Sequence, residues 1–228
     1  KRGSSKFDWL DSRHTFSFGD YYDPQQMGFS DLRVINEDRV APGAGFPTHS
    51  HRDMEIITYV LEGALAHKDS TGASSVIRVG DVQRMSAGTG ISHSEYNASQ
   101  AEPVHFLQIW IQPDRVNAEP AYEQRAFDPA AREGRWAVLA SPDGAEGSLA
   151  IRQQAWLRGL RLPHGVETGF AADPARRYWL HVARGEVQVD GRVLGPGDAL
   201  GFAGEAGEYL LQGRGAEPAD ILLFDLQG

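Results

Sequence analysis

The chain has 228 residues, 41% of them hydrophobic and 23% charged, the composition of an ordinary globular protein and not of a disordered or fibrous one. Its 31 acidic against 22 basic side chains leave a formal net charge of -9, which repels a phosphate backbone and argues against nucleic acid as a direct partner. Cysteine is absent, so disulfides and thiolate metal ligands are excluded and imidazole and carboxylate remain as the strong ligands.

The start, Lys1 to Phe7, is basic without an apolar stretch of signal-peptide length behind it, and no segment approaches the ~20 apolar residues of a membrane span. A cytoplasmic protein without membrane contact is expected. Helix-period patterns are scarce, whereas short β-rich runs recur between Gly, Pro, Asp and Ser, so the fold class reads as all-β. Asp31 to Ile35 is the first strand signal; Glu55 to Leu61 is longer and ends at the turn signal Glu62-Gly63, after which Ala64 to Lys68 returns. Ser75 to Val79 and Val82 to Met85 follow, separated by Gly80-Asp81. Val104 to Ile111 is apolar at nearly every position, as a strand covered on both faces would be, and Pro113 closes it.

From Asp114 to Gly147 the composition shifts toward Ala, Glu, Pro, Asp and Arg, which reads as a connector with short helical turns near Ala121 to Phe127 and Pro129 to Glu133. Strand signals resume at Leu149 to Trp156, Arg177 to Ala183, Glu186 to Val189, Ala199 to Phe202, Tyr209 to Gln212 and Ile221 to Leu226. The expected organisation is an N-terminal domain over 1–113, a connector over 114–147 and a C-terminal domain over 148–228.

The two halves repeat one another. Tyr59-Val60-Leu61-Glu62-Gly63, leading to Gly80-Asp81, is echoed by His181-Val182-Ala183-Arg184-Gly185, leading to Gly197-Asp198. An ungapped count from these glycines puts Ala171 and Asp173 at the places of His49 and His51, and Leu210 and Gln212 at the places of His93 and Glu95. On that count only the first half can hold metal.

His49 with His51, and His93 with Glu95, each have the two-residue spacing that puts side chains on one face of a strand. If the two strands meet inside a barrel, three imidazoles and a carboxylate converge, a divalent-metal site. Glycines at Gly43, Gly63, Gly80 and Gly88 stand where tight turns are needed. This spacing resembles the two cupin motifs. Trp9 to Phe18, together with His49-Ser50-His51-Arg52-Asp53-x-Glu55 and Gly80-Asp81-Val82-Gln83-x-Met85-x-Ala87-Gly88, is similar to the pirin family, closely over residues 9 to 112. The second half resembles it through its glycines and aspartates and the ending Pro218 to Asp225.

The resemblance implies a bicupin of two antiparallel β-barrels facing each other, with metal in the N-terminal one, held by His49, His51, His93 and Glu95. The general cupin glutamate would fall at Ile56, so Glu55 is one place off; it stands as the alternative ligand or as an acceptor orienting an imidazole N–H. Three imidazoles and a carboxylate suit Fe(II) first, and also Ni, Mn, Cu or Zn. The activity implied is a dioxygenase that opens a flavonol such as quercetin with O2 and releases carbon monoxide, the flavonol hydroxyl losing its proton to Glu95 or Glu55. A flat aromatic substrate would fit among Phe46, Met54, Phe106 and Trp110.

The family equally implies an alternative, a metal-dependent regulatory protein with a protein partner and no catalysis. A monomer is expected. His14 reads as structural, and His67, His105, His164 and His181 lack partners at ligand spacing. No Gly-x-Ser-x-Gly, Walker loop or dinucleotide fingerprint is present.

Overall fold

A computed structural model of the chain describes residues 2–228. It divides into two compact units, one running to Ala126 and taking in Ile151–Gln153, the other made of Phe127–Ala150 and Gln154–Gly228. Both are built of antiparallel sheets, as the sequence predicts, apart from one short parallel pairing of Ala140 and Ser141 with Leu149 and Ala150, and only short 3-10 turns are helical among the described residues. No helix among these residues is long and apolar enough to cross a membrane.

The first unit contains β1 (Gly3–Lys6), β2 (Leu10–His14), β3 (Leu32–Val40), β4 (Gly45–His51), β5 (Glu55–Glu62), β6 (Ala64–Asp69), β7 (Ser74–Arg78), β8 (Asp81–Ser86), β9 (Ile91–Asn97), β10 (Val104–Ile111) and β11 (Ala121–Ala126). They form a seven-stranded sheet in the order β1-β2-β3-β10-β5-β8-β11 and a four-stranded sheet in the order β4-β9-β6-β7. The apolar run at 104–111 becomes β10 with the bounds read from the sequence; it lies between β3 and β5 and is buried at every position except the half-buried Trp110. Val40, Val60, Leu65, Ile77, Val104 and Phe106 pack between the two sheets as a core. Each large apolar side chain so buried contributes roughly 1.5–3 kcal/mol.

Residues 114–126, expected in the connector, run with this unit because β11 pairs with β8 along its length. The helical turn expected near Ala121 to Phe127 is therefore a strand. Ala, Glu, Gln and Arg favour helix locally, but an open sheet edge with its unpaired N–H and C=O groups overrides a preference of tenths of a kcal/mol per residue. The turn expected at Pro129 to Glu133 does form, as a 3-10 turn over Pro129–Arg132 capped by Asp128.

The second unit contains β12 (Ala137–Ser141), β13 (Leu149–Ala150), β14 (Trp156–Leu162), β15 (Glu167–Ala172), β16 (Arg176–Arg184), β17 (Val187–Val189), β18 (Arg192–Leu194), β19 (Ala199–Ala203), β20 (Gly207–Gly213) and β21 (Ala219–Gln227). Their sheets run β13-β12-β14-β21-β16-β19 and β15-β20-β17-β18. The single strand expected over Leu149 to Trp156 is two, because the chain turns between Ala150 and Trp156.

The internal repeat is structural. Gly63 turns from β5 into β6 with φ 71°, and Gly185 turns from β16 into β17 with φ 69°. A Cβ at Gly63 would stand 2.8 Å from the Pro103 carbonyl oxygen, and one at Gly185 2.7 Å from the Ala219 Cα. Glycine is therefore required twice over at each turn, by its left-handed backbone and by a closely packed neighbouring strand start.

Candidate metal centre

Antiparallel pairing of β4 with β9 sets His49 opposite His93, and the ladder shifts between Phe46 and His49. The two-residue period then brings His51 to the same face as His49. The ligand nitrogens of His49, His51 and His93 lie within 4.8 Å of one another. The His49 and His93 ring centroids are 4.4 Å apart, those of His49 and His51 4.8 Å, and those of His51 and His93 4.9 Å.

Their nitrogens are arranged for a cation. His49 Nδ1 donates to the Pro47 carbonyl at 2.8 Å, which leaves Nε2 as a free lone pair. His51 Nε2 and His93 Nε2 stand 2.9 Å apart. Burial, with His49 close by, pushes the His51 imidazole down to about 4; burial, with the other histidines near it, pushes His93 down to about 3. These rings are neutral at pH 7, and neutral imidazole is the metal-binding form. A trio of imidazoles, two of them, His51 and His93, held neutral by burial, fits a borderline divalent ion by its donor chemistry.

Glu95 lies deeper. It is 2% exposed and receives both Gln108 Nε2 hydrogen bonds, at 3.1 Å to Oε1 and 2.9 Å to Oε2, while Thr58 Oγ1 donates to Gln108 Oε1 at 2.9 Å. Burial, partly offset by Gln108 and reinforced by the Asp38 charge, pushes the Glu95 carboxyl up to about 7. Its ligand oxygen groups within 4.8 Å of His93 and His67, while the group within that radius that contains His49 and His51 is completed by His93 alone. The structure thus joins His93 to both sets.

Glu55 is turned the other way. Ile56 packs with Met85, Ala87 and Ile91, and Thr58 reaches Gln108, so the even residues of β5 face the four-stranded sheet. Glu55, one residue off, accepts from Ser86 Oγ at 2.8 Å, with Arg84 and Arg152 as its neighbouring charges. Burial raises its pKa above the ordinary value. Strand parity on β5 thus turns Glu55 away from the face that carries Ile56 and Thr58.

A cavity of about 260 Å³ opens beside the imidazoles, lined by His49, His51 and Glu95 and walled by Phe18, Phe46 and Trp110. Of the four side chains expected from the sequence, Phe46 and Trp110 line it, whereas Phe106 is wholly buried in the core and Met54 packs against the Ile56 cluster. Two polar atoms of its lining have no hydrogen-bond partner among the described residues, the Asp38 Oδ1 acceptor and the Trp110 Nε1 donor. Burial, opposed by a Ser12 hydrogen bond and reinforced by Glu37, pushes the Asp38 carboxyl up to about 7. His14 also lines the cavity, with both ring nitrogens occupied by Ser5 Oγ and Asn36 Oδ1, a structural role as expected.

Asp38, Gln108 and His67 escape a reading of the sequence because each depends on cross-strand register. β6 pairs with β9 so that His67 lies opposite Glu95 and Asp69 opposite His93. The alternation His67-x-Asp69 was the one local signal available.

Comparison with known proteins shows the family of the chain. The Pirin family description matches residues 1–111, and the Quercetinase C-terminal cupin domain description matches residues 138–226. A quercetin 2,3-dioxygenase of Escherichia coli strain K12 is 45% identical over 226 residues, 99% of this chain and 95% of that protein. The crystal structure of YhhW from Escherichia coli superposes with a TM-score of 0.92 at 44% identity, over 99% of this chain and 94% of that one. The crystal structure of the bacterial pirin YhhW from Escherichia coli in complex with nickel(II) does so with a TM-score of 0.92 at 42% identity, over 99% and 95%. By its two matched domains and its identity along nearly the whole chain, this protein belongs to the pirin family of the cupin fold.

Proposed function

We propose that the protein is a metal-dependent dioxygenase that opens the ring of a flavonol such as quercetin with O2 and releases carbon monoxide. The observation that carries the reading is the convergence of three imidazoles, two of them, His49 and His51, on the wall of an aromatic-lined cavity. The substrate class follows from the name of the Escherichia coli relative.

His49, His51 and His93 would hold the ion, with Glu95 as the fourth ligand, and Fe(II) is the first candidate with Ni, Mn, Cu and Zn behind it. When bound, a divalent ion there supplies Lewis-acid and dioxygen chemistry. Phe18, Phe46 and Trp110 offer flat apolar faces that exclude water from the bound ring. Trp110 Nε1 and Asp38 Oδ1, each without a partner, would pair with a carbonyl and a hydroxyl of the substrate. Glu95, which lines the cavity beside His49 and His51, is the carboxylate placed to accept the hydroxyl proton. Glu55 faces away from the cavity, which favours Glu95 for that transfer.

The test is to assay the metal of the purified protein, strip it, reconstitute with Fe(II), Ni(II), Mn(II), Cu(II) and Zn(II) in turn, and follow quercetin absorbance with oxygen uptake. Coupled loss of flavonol and oxygen, absent from His49→Ala and His93→Ala, is the expected result. A fully loaded protein with no turnover that binds a partner protein only when metallated would replace this reading with the regulatory one.

A further inference from the structure

We propose that His67 and Asp69 are positioning residues that set the tautomer of His93, holding its Nδ1 as the N–H and turning the Nε2 lone pair toward the ion. The inference rests on the metal reading of the three imidazoles, not on the dioxygenase reaction.

The chain of bonds can be followed from its buried end. Asp69 is 8% exposed, and its Oδ1 is occupied by the Thr71 backbone N–H at 2.8 Å, the Thr71 hydroxyl at 2.6 Å and the Ala73 N–H at 3.3 Å. Oδ2 is left for His67 Nε2 at 2.8 Å. A carboxylate accepts, so His67 must carry its proton on Nε2 and present Nδ1 as a lone pair. That Nδ1 lies 3.5 Å from His93 Nδ1. A lone pair facing a ring nitrogen selects the N–H form of that nitrogen, and a neutral imidazole protonated at Nδ1 has its free pair at Nε2. His93 Nε2 is the atom that stands 2.9 Å from His51 Nε2, on the side of the imidazole trio.

The same geometry separates His67 from the ligands. Its Nε2 is committed to Asp69, and its Nδ1 meets the nitrogen of His93 that points away from His51. The His67 ring is fixed by stacking on Tyr122, with centroids 4.8 Å apart and planes at 26°. Carboxylate–histidine partners behind a ligand imidazole orient the ring and raise its basicity, and their loss costs about 10–100-fold in metal affinity.

The experiment uses the full chain, labelled with 15N, and Zn(II) as a diamagnetic probe. Two-bond 1H–15N spectra of the metal-free protein should show His93 protonated at Nδ1 and His67 at Nε2. Adding Zn(II) should shift His93 Nε2 and leave both His67 nitrogens without a metal-bound shift. In chelator competition, His67→Phe, which keeps a ring against Tyr122 but removes both nitrogens, should weaken Zn(II) binding about 10–100-fold. His67→Gln, whose amide offers one acceptor and one donor, should recover part of the loss. His93 protonated at Nε2, or His67 nitrogens that take a metal-bound shift, would overturn the proposal. So would a His67→Phe protein that melts earlier when metal-free but binds Zn(II) as tightly as wild type, since that is the mark of a purely structural residue. Wild-type protein with these tautomers that takes up no Zn(II) would overturn the metal reading itself, and the orienting role with it.

Discussion

The two units answer the same structural problem with opposite chemistry at one rung. In the first, His49 faces His93 across β4 and β9, with ring centroids 4.4 Å apart. In the second, Phe170 faces Tyr209 across β15 and β20, with centroids 5.3 Å apart and planes at 24°. Phe170, Ala172 and Leu211 belong to the buried core of their unit, with Tyr209 packed against it. The frame, including the paired turns at Gly63 and Gly185, is shared; what differs is whether the interior of the smaller sheet is spent on imidazole or on packing. Buried polar rings need partners, and in the first unit those partners are each other, a carboxylate and, on our reading, a cation.

The comparison also corrects the count from the sequence, which set Leu210 and Ala171 at the places of His93 and His49. Leu210 is 52% exposed, whereas His93 is 1% exposed, so Leu210 lies on the outer face. A slip of one residue on each strand reverses every side chain, and the interior positions are held by Phe170, Ala172, Tyr209 and Leu211.

Converting the first rung to the second is the strongest way to break the comparison. A His49→Phe, His93→Tyr protein should lose metal uptake completely, as read by elemental analysis after reconstitution. Its metal-free form should melt below the wild-type temperature, because His51 Nε2 and His67 Nδ1 lose the His93 nitrogens they face. Retained metal would show that the imidazole rung is not what distinguishes the units.

Next in size, Phe170→Ala should cost about 3–5 kcal/mol in chemical denaturation while leaving metal content unchanged, since Phe170 contacts the rings of Tyr178, Phe202 and Tyr209. A change in metal content with that substitution would contradict a purely packing role for the second rung.

Gly63→Ala and Gly185→Ala should each cost about 1–3 kcal/mol from left-handed strain, and the added Cβ contacts of 2.8 Å and 2.7 Å should make the two penalties similar. Markedly unequal losses on denaturation would show that the two turns are not equivalent.

The smallest effect lies in the pH dependence. Burial raises the Asp38 carboxyl to about 7, so the folded state keeps a proton that the unfolded chain releases near pH ~4. Stability from this group is full below pH ~4 and is lost as pH rises through 7. The depressed His51 and His93 imidazoles act in the opposite direction in both proteins, so the readout is the difference: between pH 4 and 7 metal-free wild type should lose stability relative to Asp38→Asn. Equal slopes would remove Asp38 from the account.

Much of the fold was legible because its signals are local. The apolar run of β10, the strand at Glu55 and the glycine turns each announce themselves within a few residues, and the spacing of the histidines does the same for strand faces. What was hidden depends on pairing. The helix-favouring composition of β11 gives no hint of the β8 edge it completes, and His67 looks solitary until β6 lies beside β9. Glu55 is the reverse case, a plausible ligand by sequence distance whose parity on β5 directs it to Ser86.

The most direct test of the central claim is the metal stoichiometry of the reconstituted chain and of its His49→Ala, His51→Ala and His93→Ala variants, by equilibrium dialysis with elemental analysis. The account predicts one divalent ion per wild-type chain and none in any of the three variants under the same conditions. An ion that persists when these imidazoles are removed, or a wild-type chain that holds none, would contradict it.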